Sequence, residues 1–236
     1  NAVDILRDKL PPFASPYDEE DYLQKIRSAL PSGVWVDTAS ALRQHKEEEI
    51  YYRTDHHWKT LGAFYAFREW AKERGIAEVQ ADDYSVSTVT DSFEGTVASK
   101  VGIGVKADSI QIYEPKDPVS YLLTYNRTDD IRSTVYQKTP LDTKDKYAVF
   151  YGGNYGLIEA SSDAKTGRRL LVIKDSYAHC FVPFTYSYFD QVDMVDLRYY
   201  NQSLAQLMEE KEYTDILFLY NASGFAEDTS LMKLMN

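Results

Sequence analysis

The second half of the chain alternates short β-prone runs with helix-compatible segments, and no other feature constrains the fold as strongly. The candidate strands are Tyr147–Tyr151, Leu170–Ile173, Val192–Val195 and Ile216–Tyr220. Helical segments follow Ser176 and lie around residues 203–210 and 227–235. Strands that alternate with helices favour a largely parallel sheet covered on both faces. The pattern predicts an α/β fold, a three-layer sandwich with a mainly parallel sheet.

The first half of the chain shows a different pattern. Helical spacing covers residues 19–30 and 59–74, and Val34–Val36 has the composition of a short buried strand. Residues 84–140 hold short β-prone runs separated by turn and charged residues, which predicts a β-rich, mostly antiparallel insertion. With 236 residues, of which 44% are hydrophobic, the chain can bury one substantial core. We therefore expect a single domain over residues 1–236 with the insertion at 84–140.

Composition excludes several classes of protein. The formal net charge is −11, which argues against nucleic-acid binding because that function depends on clustered Lys and Arg. The single cysteine, Cys180, excludes an internal disulfide and a cysteine-based zinc site. No apolar run approaches the ~20 residues that cross a bilayer.

The strongest local motif is an apolar strand that ends in Asp-Ser. Leu170–Ile173 is followed by Lys174, Asp175 and Ser176, and then by a helix-compatible segment. In open α/β sheets the active site lies beyond the carboxyl ends of the strands, where a serine can act as a nucleophile. The N–H groups that begin the following helix can stabilise an oxyanion. The alternative is that Asp175 or Ser176 only caps this helix.

A second motif is Asp55-His56-His57-Trp58. A serine nucleophile needs a histidine base, and that base needs an acceptor that orients it. In an extended segment Asp55 and His57 project to the same side, so Asp55 can orient His57, while His56 points away. Two alternatives remain open. Asp55 can cap the next helix beside a structural His57, or the three side chains can bind a divalent metal.

Two further motifs follow candidate strands. Gly153 and Asn154 lie after Tyr147–Tyr151, where an Asn amide can donate to an oxyanion, although an ordinary strand-terminating turn explains them slightly better. Arg198 and Tyr199 follow Val192–Val195. Arg198 can contact a substrate oxygen or form a structural ion pair, and Tyr199 is a candidate for contact with a sugar.

At these residues the chain resembles the DHHW-motif proteins of Gram-positive bacteria. The similarity is carried by residues 51–63, which contain Asp-His-His-Trp, and by 172–178, which contain Lys-Asp-Ser. Residues 93–96, 151–154 and 196–200 agree as well. The family is distantly similar to the alginate O-acetyltransferases of the SGNH-hydrolase superfamily. Those proteins have Asp-x-His-Trp and then Gly-Asp-Ser in the same chain order, so this sequence departs from them at Lys174.

The resemblance implies an SGNH-hydrolase-like fold and a triad of Ser176, His57 and Asp55. It implies acetyl ester chemistry on a cell-envelope or extracellular glycan, by an O-acetyltransferase or an esterase outside the cytoplasm. No cofactor or metal is required, and a membrane-bound acyltransferase is the implied acetyl donor. The alternative is a catalytically silent carbohydrate-binding or envelope-assembly protein on the same scaffold, which Lys174 favours. A metal-dependent hydrolase is a third possibility.

Overall fold

The computed structural model describes residues 1–102 and 104–235. The chain divides into two compact units, Asn1–Tyr113 and Glu114–Asn236. Among the described residues, no helix is both long enough and apolar enough to cross a membrane.

The first unit is mainly helical. Its α-helices are α1 (Ala2–Ile5), α2 (Glu19–Ala29), α3 (Thr38–Gln44), α4 (Thr60–Glu73) and α5 (Thr96–Val101). Short 3₁₀ helices lie at Arg7–Lys9 and Ala81–Asp83, and strands β1 (Tyr84–Phe93) and β2 (Asp108–Pro115) form a two-stranded sheet. Residues 34–36, which the sequence predicts as a strand, are not in one.

Helix α4 forms the core of the first unit and follows His57 directly. Phe64, Phe67 and Trp70 lie on its buried face, since they are spaced three residues apart and are at most 4% exposed. The predicted helix over residues 59–74 is therefore confirmed. Its start is anchored by the Lys59 backbone N–H, which donates to the Ile50 carbonyl at 2.8 Å. These contacts fix the base of the turn that carries Asp55 and His57.

The second unit is built on a six-stranded sheet. Its strands are β3 (Tyr121–Tyr125), β4 (Ile131–Arg132), β5 (Leu157–Ser162), β6 (Arg169–Lys174), β7 (Gln191–Val195) and β8 (Asp215–Leu219), in the spatial order β4-β3-β5-β7-β6-β8. Helices α6 (Leu204–Lys211) and α7 (Ala222–Glu227) accompany 3₁₀ helices at Thr139–Asp142, Lys146–Val149, Ser176–Cys180, Val182–Thr185 and Thr229–Met235. Strand β6 lies between β7 and β8 and is buried from Leu170 to Lys174, as expected of a strand covered on both faces.

The sheet corrects the predicted fold class. The prediction of a mainly parallel sandwich with a separate β-rich insertion is wrong, because the main sheet is mixed. Strand β6 pairs in parallel with β7 and β8, whereas β3 with β4, β3 with β5, and β5 with β7 are antiparallel. The connection over residues 126–130 allows a hairpin but is too short for the crossover that parallel strands need.

Segment 84–140 is also divided between two sheets. It supplies β1 and β2 to the small sheet, and β3 and β4 to the large one. The strand predicted at Tyr147–Tyr151 is replaced by a 3₁₀ helix at Lys146–Val149, and β5 begins only at Leu157. The prediction of one domain over residues 1–236 stays a prediction.

Strand directions bring the second unit's candidate residues to one edge of its sheet. Strands β6 and β7 run parallel, and β5 runs opposite to β7. The carboxyl ends of β6 and β7 therefore lie on the same edge as the amino end of β5. Ser176 follows β6, Arg198 and Tyr199 follow β7, and Gly153 and Asn154 precede β5.

Candidate functional site

Asp55 and His57 lie in a tight turn closed by a bridge between Tyr51 and Trp58. The Tyr52 backbone N–H donates to the His57 carbonyl at 3.3 Å and narrows the turn. Asp55 Oδ1 lies 2.5 Å from His57 Nδ1 and also accepts the His57 backbone N–H at 3.1 Å. The two side chains meet as the spacing suggested, but the chain bends here and is not extended.

The second oxygen of Asp55 is held by the start of α5. Oδ2 accepts the Thr96 backbone N–H at 2.8 Å and the Thr96 hydroxyl at 3.0 Å. Gly95 makes this approach possible, because a Cβ there would lie 2.3 Å from both Cβ and Oδ2 of Asp55. This close approach gives a physical reason for the Gly-Thr pair in residues 93–96.

Asp55 is 6% exposed, and burial by itself raises the pKa of a carboxyl group. The imidazoles of His56 and His57 beside the carboxylate, together with the hydrogen bond from the Thr96 backbone N–H, outweigh burial and hold the pKa of Asp55 well below its usual range. Asp55 is therefore ionised across the physiological pH range. An ionised acceptor at Nδ1 fixes the tautomer of His57 that leaves Nε2 available as a base.

Asp108 holds the turn from the other side and was not identified from the sequence. Its carboxylate is fully buried, and Oδ2 accepts the backbone N–H groups of Arg53 at 2.9 Å and Thr54 at 2.8 Å. The Thr54 hydroxyl donates to the same oxygen at 2.7 Å. The turn is thus fixed by two buried carboxylates, one on each side.

His56 is the exposed member of the motif, with 48% of its side chain accessible. Its Nδ1 lies 2.7 Å from the Thr96 hydroxyl, and its ring centre lies 3.9 Å from that of His57. From the sequence, His56 and His57 were expected to project to opposite sides of the chain. That expectation assumed an extended backbone, whereas the chain bends here.

Asp55, His56 and His57 offer ligand atoms that all lie within 4.8 Å of one another, so the donor set suits a divalent ion. Hydrogen bonds already engage both Asp55 oxygens and the Nδ1 atoms of His56 and His57. An ion bound through these atoms would have to displace several of these hydrogen bonds.

Ser176 is the first residue of the 3₁₀ helix that follows β6, and it is half-buried. The cap is Asp175, whose Oδ1 accepts the Tyr177 backbone N–H at 2.8 Å. Asp175 Oδ2 accepts the Asn221 backbone N–H at 2.9 Å and the Asn221 side-chain amide. The capping alternative therefore applies to Asp175 and does not account for Ser176.

Lys174 is fully buried at the end of β6. Its Nζ lies 2.8 Å from His179 Nε2 and 3.3 Å from Asp196 Oδ2. Burial lowers the pKa of Lys174, and the neighbouring Asp196 carboxylate opposes that effect. The side chain thus ends between two buried polar groups of the second unit.

The remaining candidates lie along the same sheet edge. Arg198 makes a two-point ion pair with Asp196 at 2.8 and 2.7 Å, as the structural alternative proposed. Its guanidinium lies 5.5 Å from the ring centre of Tyr199, which is 51% exposed. Gly153 has a φ of +122°, and Asn154 is exposed. Substrate roles for these four residues stay predictions.

Asp55 and His57 belong to the first unit, whereas Ser176 and the four residues along the sheet edge belong to the second. Their assignment to one catalytic site therefore stays a prediction. Thr96 and Asp108 are additional positioning candidates. Thr96 lies in a motif that the resemblance already includes, but Asp108 has no comparable sequence signal.

Comparisons with known proteins place the chain in a family. The DHHW protein family matches residues 36–195. A DHHW family protein from Eubacterium siraeum has a similar structure, with a TM-score of 0.84, 24% identity and coverage of 96% of this chain and 78% of that one. Comparison with curated proteins gives no match.

Two other solved structures are similar. PatB1 of Bacillus cereus, determined with a sulfonyl adduct, has a TM-score of 0.78 and 24% identity, over 97% of this chain and 80% of that one. The O-acetyltransferase domain of Pseudomonas putida AlgJ is more distant, with a TM-score of 0.53 and 12% identity, over 95% and 72%. At these identities the similarity concerns the fold.

The family match includes the turn of Asp55 and His57, strand β6 and Ser176. It also covers well over half of the chain, and the resemblance inferred from the sequence motifs is confirmed. The chain belongs to the DHHW protein family.

Proposed function

We propose that this protein carries out serine-dependent acetyl ester chemistry on a cell-envelope or extracellular glycan, as an O-acetyltransferase or an esterase. Ser176 is the nucleophile, His57 the base and Asp55 the residue that orients the base. The observation that carries the proposal is the 2.5 Å contact between His57 Nδ1 and a buried, ionised Asp55. A histidine prepared in this way is what a serine nucleophile requires.

The reaction proceeds in two balanced steps. Ser176 Oγ attacks the acetyl carbonyl while His57 Nε2 takes the hydroxyl proton. The tetrahedral intermediate collapses, the ester C–O bond breaks, and the proton from His57 goes to the departing alcohol. A glycan hydroxyl or water then attacks the acetyl-serine and gives its proton to His57. The bond between the acetyl carbon and Ser176 Oγ breaks, His57 returns the proton to Oγ, and the acetylated glycan or acetic acid leaves. A glycan acceptor makes the protein a transferase, and water makes it an esterase.

The sheet edge of the second unit supports the other proposed roles. The backbone N–H of Ser176 and the side-chain amide of Asn154 are the proposed oxyanion donors, and Gly153 permits close backbone approach. Arg198 and Tyr199 are proposed to contact the sugar. All five residues lie at the edge where β6 and β7 end and β5 begins.

The similar structures support the same chemistry. The PatB1 structure was determined with a sulfonyl adduct, and the AlgJ domain is an O-acetyltransferase domain. We propose an extracytoplasmic location because the substrate is a cell-envelope or extracellular glycan. A membrane-bound acyltransferase is the proposed acetyl donor.

The proposal is tested by hydrolysis of 4-nitrophenyl acetate. Wild type should hydrolyse the ester, and Ser176→Ala should lose most of the activity while circular dichroism shows unchanged folding. Ser187→Ala, which removes another half-buried hydroxyl of the second unit, is the matched control and should retain activity. Equal rates for wild type and Ser176→Ala would favour the catalytically silent carbohydrate-binding alternative. Adding a chitin-type tetrasaccharide and measuring acetylated sugar separates transfer from hydrolysis.

A further inference from the structure

Lys174 has an unusual position, because a lysine ammonium is rarely buried without a specific partner. Its side chain is 0% exposed and ends between His179 and Asp196. This chain therefore places a fully buried, hydrogen-bonded lysine directly before the segment that carries Ser176.

The contact with His179 encloses the segment that carries Ser176. Lys174 immediately precedes Asp175 and Ser176, and His179 lies in the 3₁₀ helix that begins at Ser176. The contact between Lys174 Nζ and His179 Nε2 at 2.8 Å therefore closes a loop that contains Ser176. Tyr147 adds to this arrangement, since its hydroxyl donates to the Ser176 carbonyl at 3.2 Å and its ring stacks on His179.

Asp196 attaches the same lysine to the end of the neighbouring strand. Strand β7 ends at Val195. The next residue, Asp196, accepts hydrogen bonds on Oδ2 from Lys174 Nζ at 3.3 Å and from the Arg198 guanidinium at 2.7 Å. Asp196 is fully buried, and burial by itself raises the pKa of a carboxyl group. Arg198 and Lys174 nevertheless keep the pKa of Asp196 below its usual value. Removing the lysine charge leaves Asp196 paired with Arg198, so no isolated buried charge is created.

We propose that Lys174 is a positioning residue, whose ammonium group joins His179 to Asp196 and thereby fixes the turn that presents Ser176. The inference rests on the proposed function. A serine nucleophile must be held close to its productive geometry, and a displacement of about 1 Å can reduce the rate about 100-fold. The contacts of Lys174 restrain both the turn and its distance from β7.

The test uses Lys174→Met, which keeps the length and packing of the side chain but removes the ammonium. For 4-nitrophenyl acetate, kcat should fall about 10- to 100-fold while KM changes by no more than about twofold. His179→Leu should lower kcat by a similar factor. His179→Gln, whose amide oxygen can accept a hydrogen bond from Lys174, should keep most of the wild-type kcat. Lys233→Met is the matched control. It loses lysine contacts to the Leu197 and Tyr200 carbonyls in the same unit but does not contact the turn.

Amide hydrogen exchange gives a readout that does not depend on activity. The peptide covering Ser176–Cys180 should exchange faster in Lys174→Met than in wild type, and Lys233→Met should leave it unchanged. Unchanged exchange in Lys174→Met, or a loss of stability with kcat intact, overturns the positioning role. These outcomes are distinct from failure of the proposed function, in which wild type and Ser176→Ala have equal rates.

Discussion

Asp55 accepts both the ring and the backbone N–H of His57 on a single oxygen, at 2.5 and 3.1 Å. Its other oxygen accepts the backbone N–H and the hydroxyl of Thr96. Each oxygen of this buried carboxylate therefore faces a backbone N–H group, which can donate a hydrogen bond but cannot accept one. The orientation of His57 and the position of α5 depend on the same side chain.

Asp55→Asn should consequently be severe, because an amide supplies only one acceptor oxygen. Its NH₂ group must face a backbone N–H, either that of His57 or that of Thr96. We expect kcat for 4-nitrophenyl acetate to fall about 10³- to 10⁴-fold, as expected when the base loses its correct tautomer. Asp37→Asn, at the cap of α3, should stay near wild type. A loss below about tenfold would contradict the orienting role.

Gly95→Ala should disturb the same carboxylate without changing a polar group. The new Cβ would lie 2.3 Å from the Asp55 Cβ, so the turn or α5 must shift. We expect the free energy of unfolding to fall by about 1–3 kcal/mol and kcat to fall about 10-fold or more. Gly104→Ala is the control, since a Cβ there meets nothing within 4 Å. Thermal unfolding and ester hydrolysis check both expectations, and equal behaviour of the two variants would refute this account.

Substitution of His56 distinguishes the catalytic triad from the metal-site alternative. In the triad His56 lies beside Thr96, Asp55 and the ring of His57 but is not the base, so His56→Ala should retain most ester hydrolysis, whereas His57→Ala should fall to the level of Ser176→Ala. If the three side chains bind an essential ion, both histidine variants should lose activity together. Treatment with EDTA should then abolish hydrolysis, and metal analysis of the purified protein should find bound metal.

The sequence predicted those parts of the molecule that depend on local pattern. Helix α4 follows from an apolar side with helical spacing that includes Phe64 and Trp70, and the meeting of Asp55 with His57 depends on residues two positions apart. The sheet order could not be predicted, because the antiparallel pairing of β3 with β5 is set by packing between distant segments. Thr96 and Asp108 were missed as supports of the turn for the same reason, since they lie 41 and 54 residues from the groups they contact.

The raised pKa of the buried Asp193 predicts that the stability of the protein depends on pH, independently of catalysis. Burial in β7 raises the pKa of Asp193 to about 6, although Tyr213 and Gln191 donate to its carboxylate. Because the folded-state pKa lies above the unfolded value of 3.8, the folded state holds this proton more tightly. Its contribution to stability is therefore present below about pH 4 and is lost as the pH rises to about 6, by about 3 kcal/mol.

Asp193→Asn removes this ionisation and keeps an acceptor for Tyr213. Urea unfolding at pH 7.5 should show the variant to be more stable than wild type, and the difference should shrink towards about pH 4. Asp129→Asn, an exposed site in the same unit, controls for the general loss of a carboxylate. A difference that is independent of pH would show that Asp193 is ionised in the folded protein throughout this range.

Tyr199 tests whether the sheet edge binds the acceptor sugar. Its ring is 51% exposed, and the Arg198 guanidinium beside it is fixed by the buried Asp196. An exposed aromatic face next to a fixed donor suits a sugar ring with its hydroxyl groups. With 4-nitrophenyl acetate as donor, Tyr199→Ala should raise KM for a chitin-type tetrasaccharide about 3- to 10-fold, the loss expected for one stacking contact.

Tyr199→Phe keeps the ring and should preserve KM for the tetrasaccharide. Tyr17→Ala is the control, because it removes a tyrosine that is 71% exposed in the first unit. Hydrolysis of 4-nitrophenyl acetate without acceptor should change much less than transfer in Tyr199→Ala, since the small ester brings no sugar to stack. If Tyr199→Ala and Tyr17→Ala have the same KM for the acceptor, the sugar binds elsewhere, and Arg198 is then left with its structural role of neutralising Asp196.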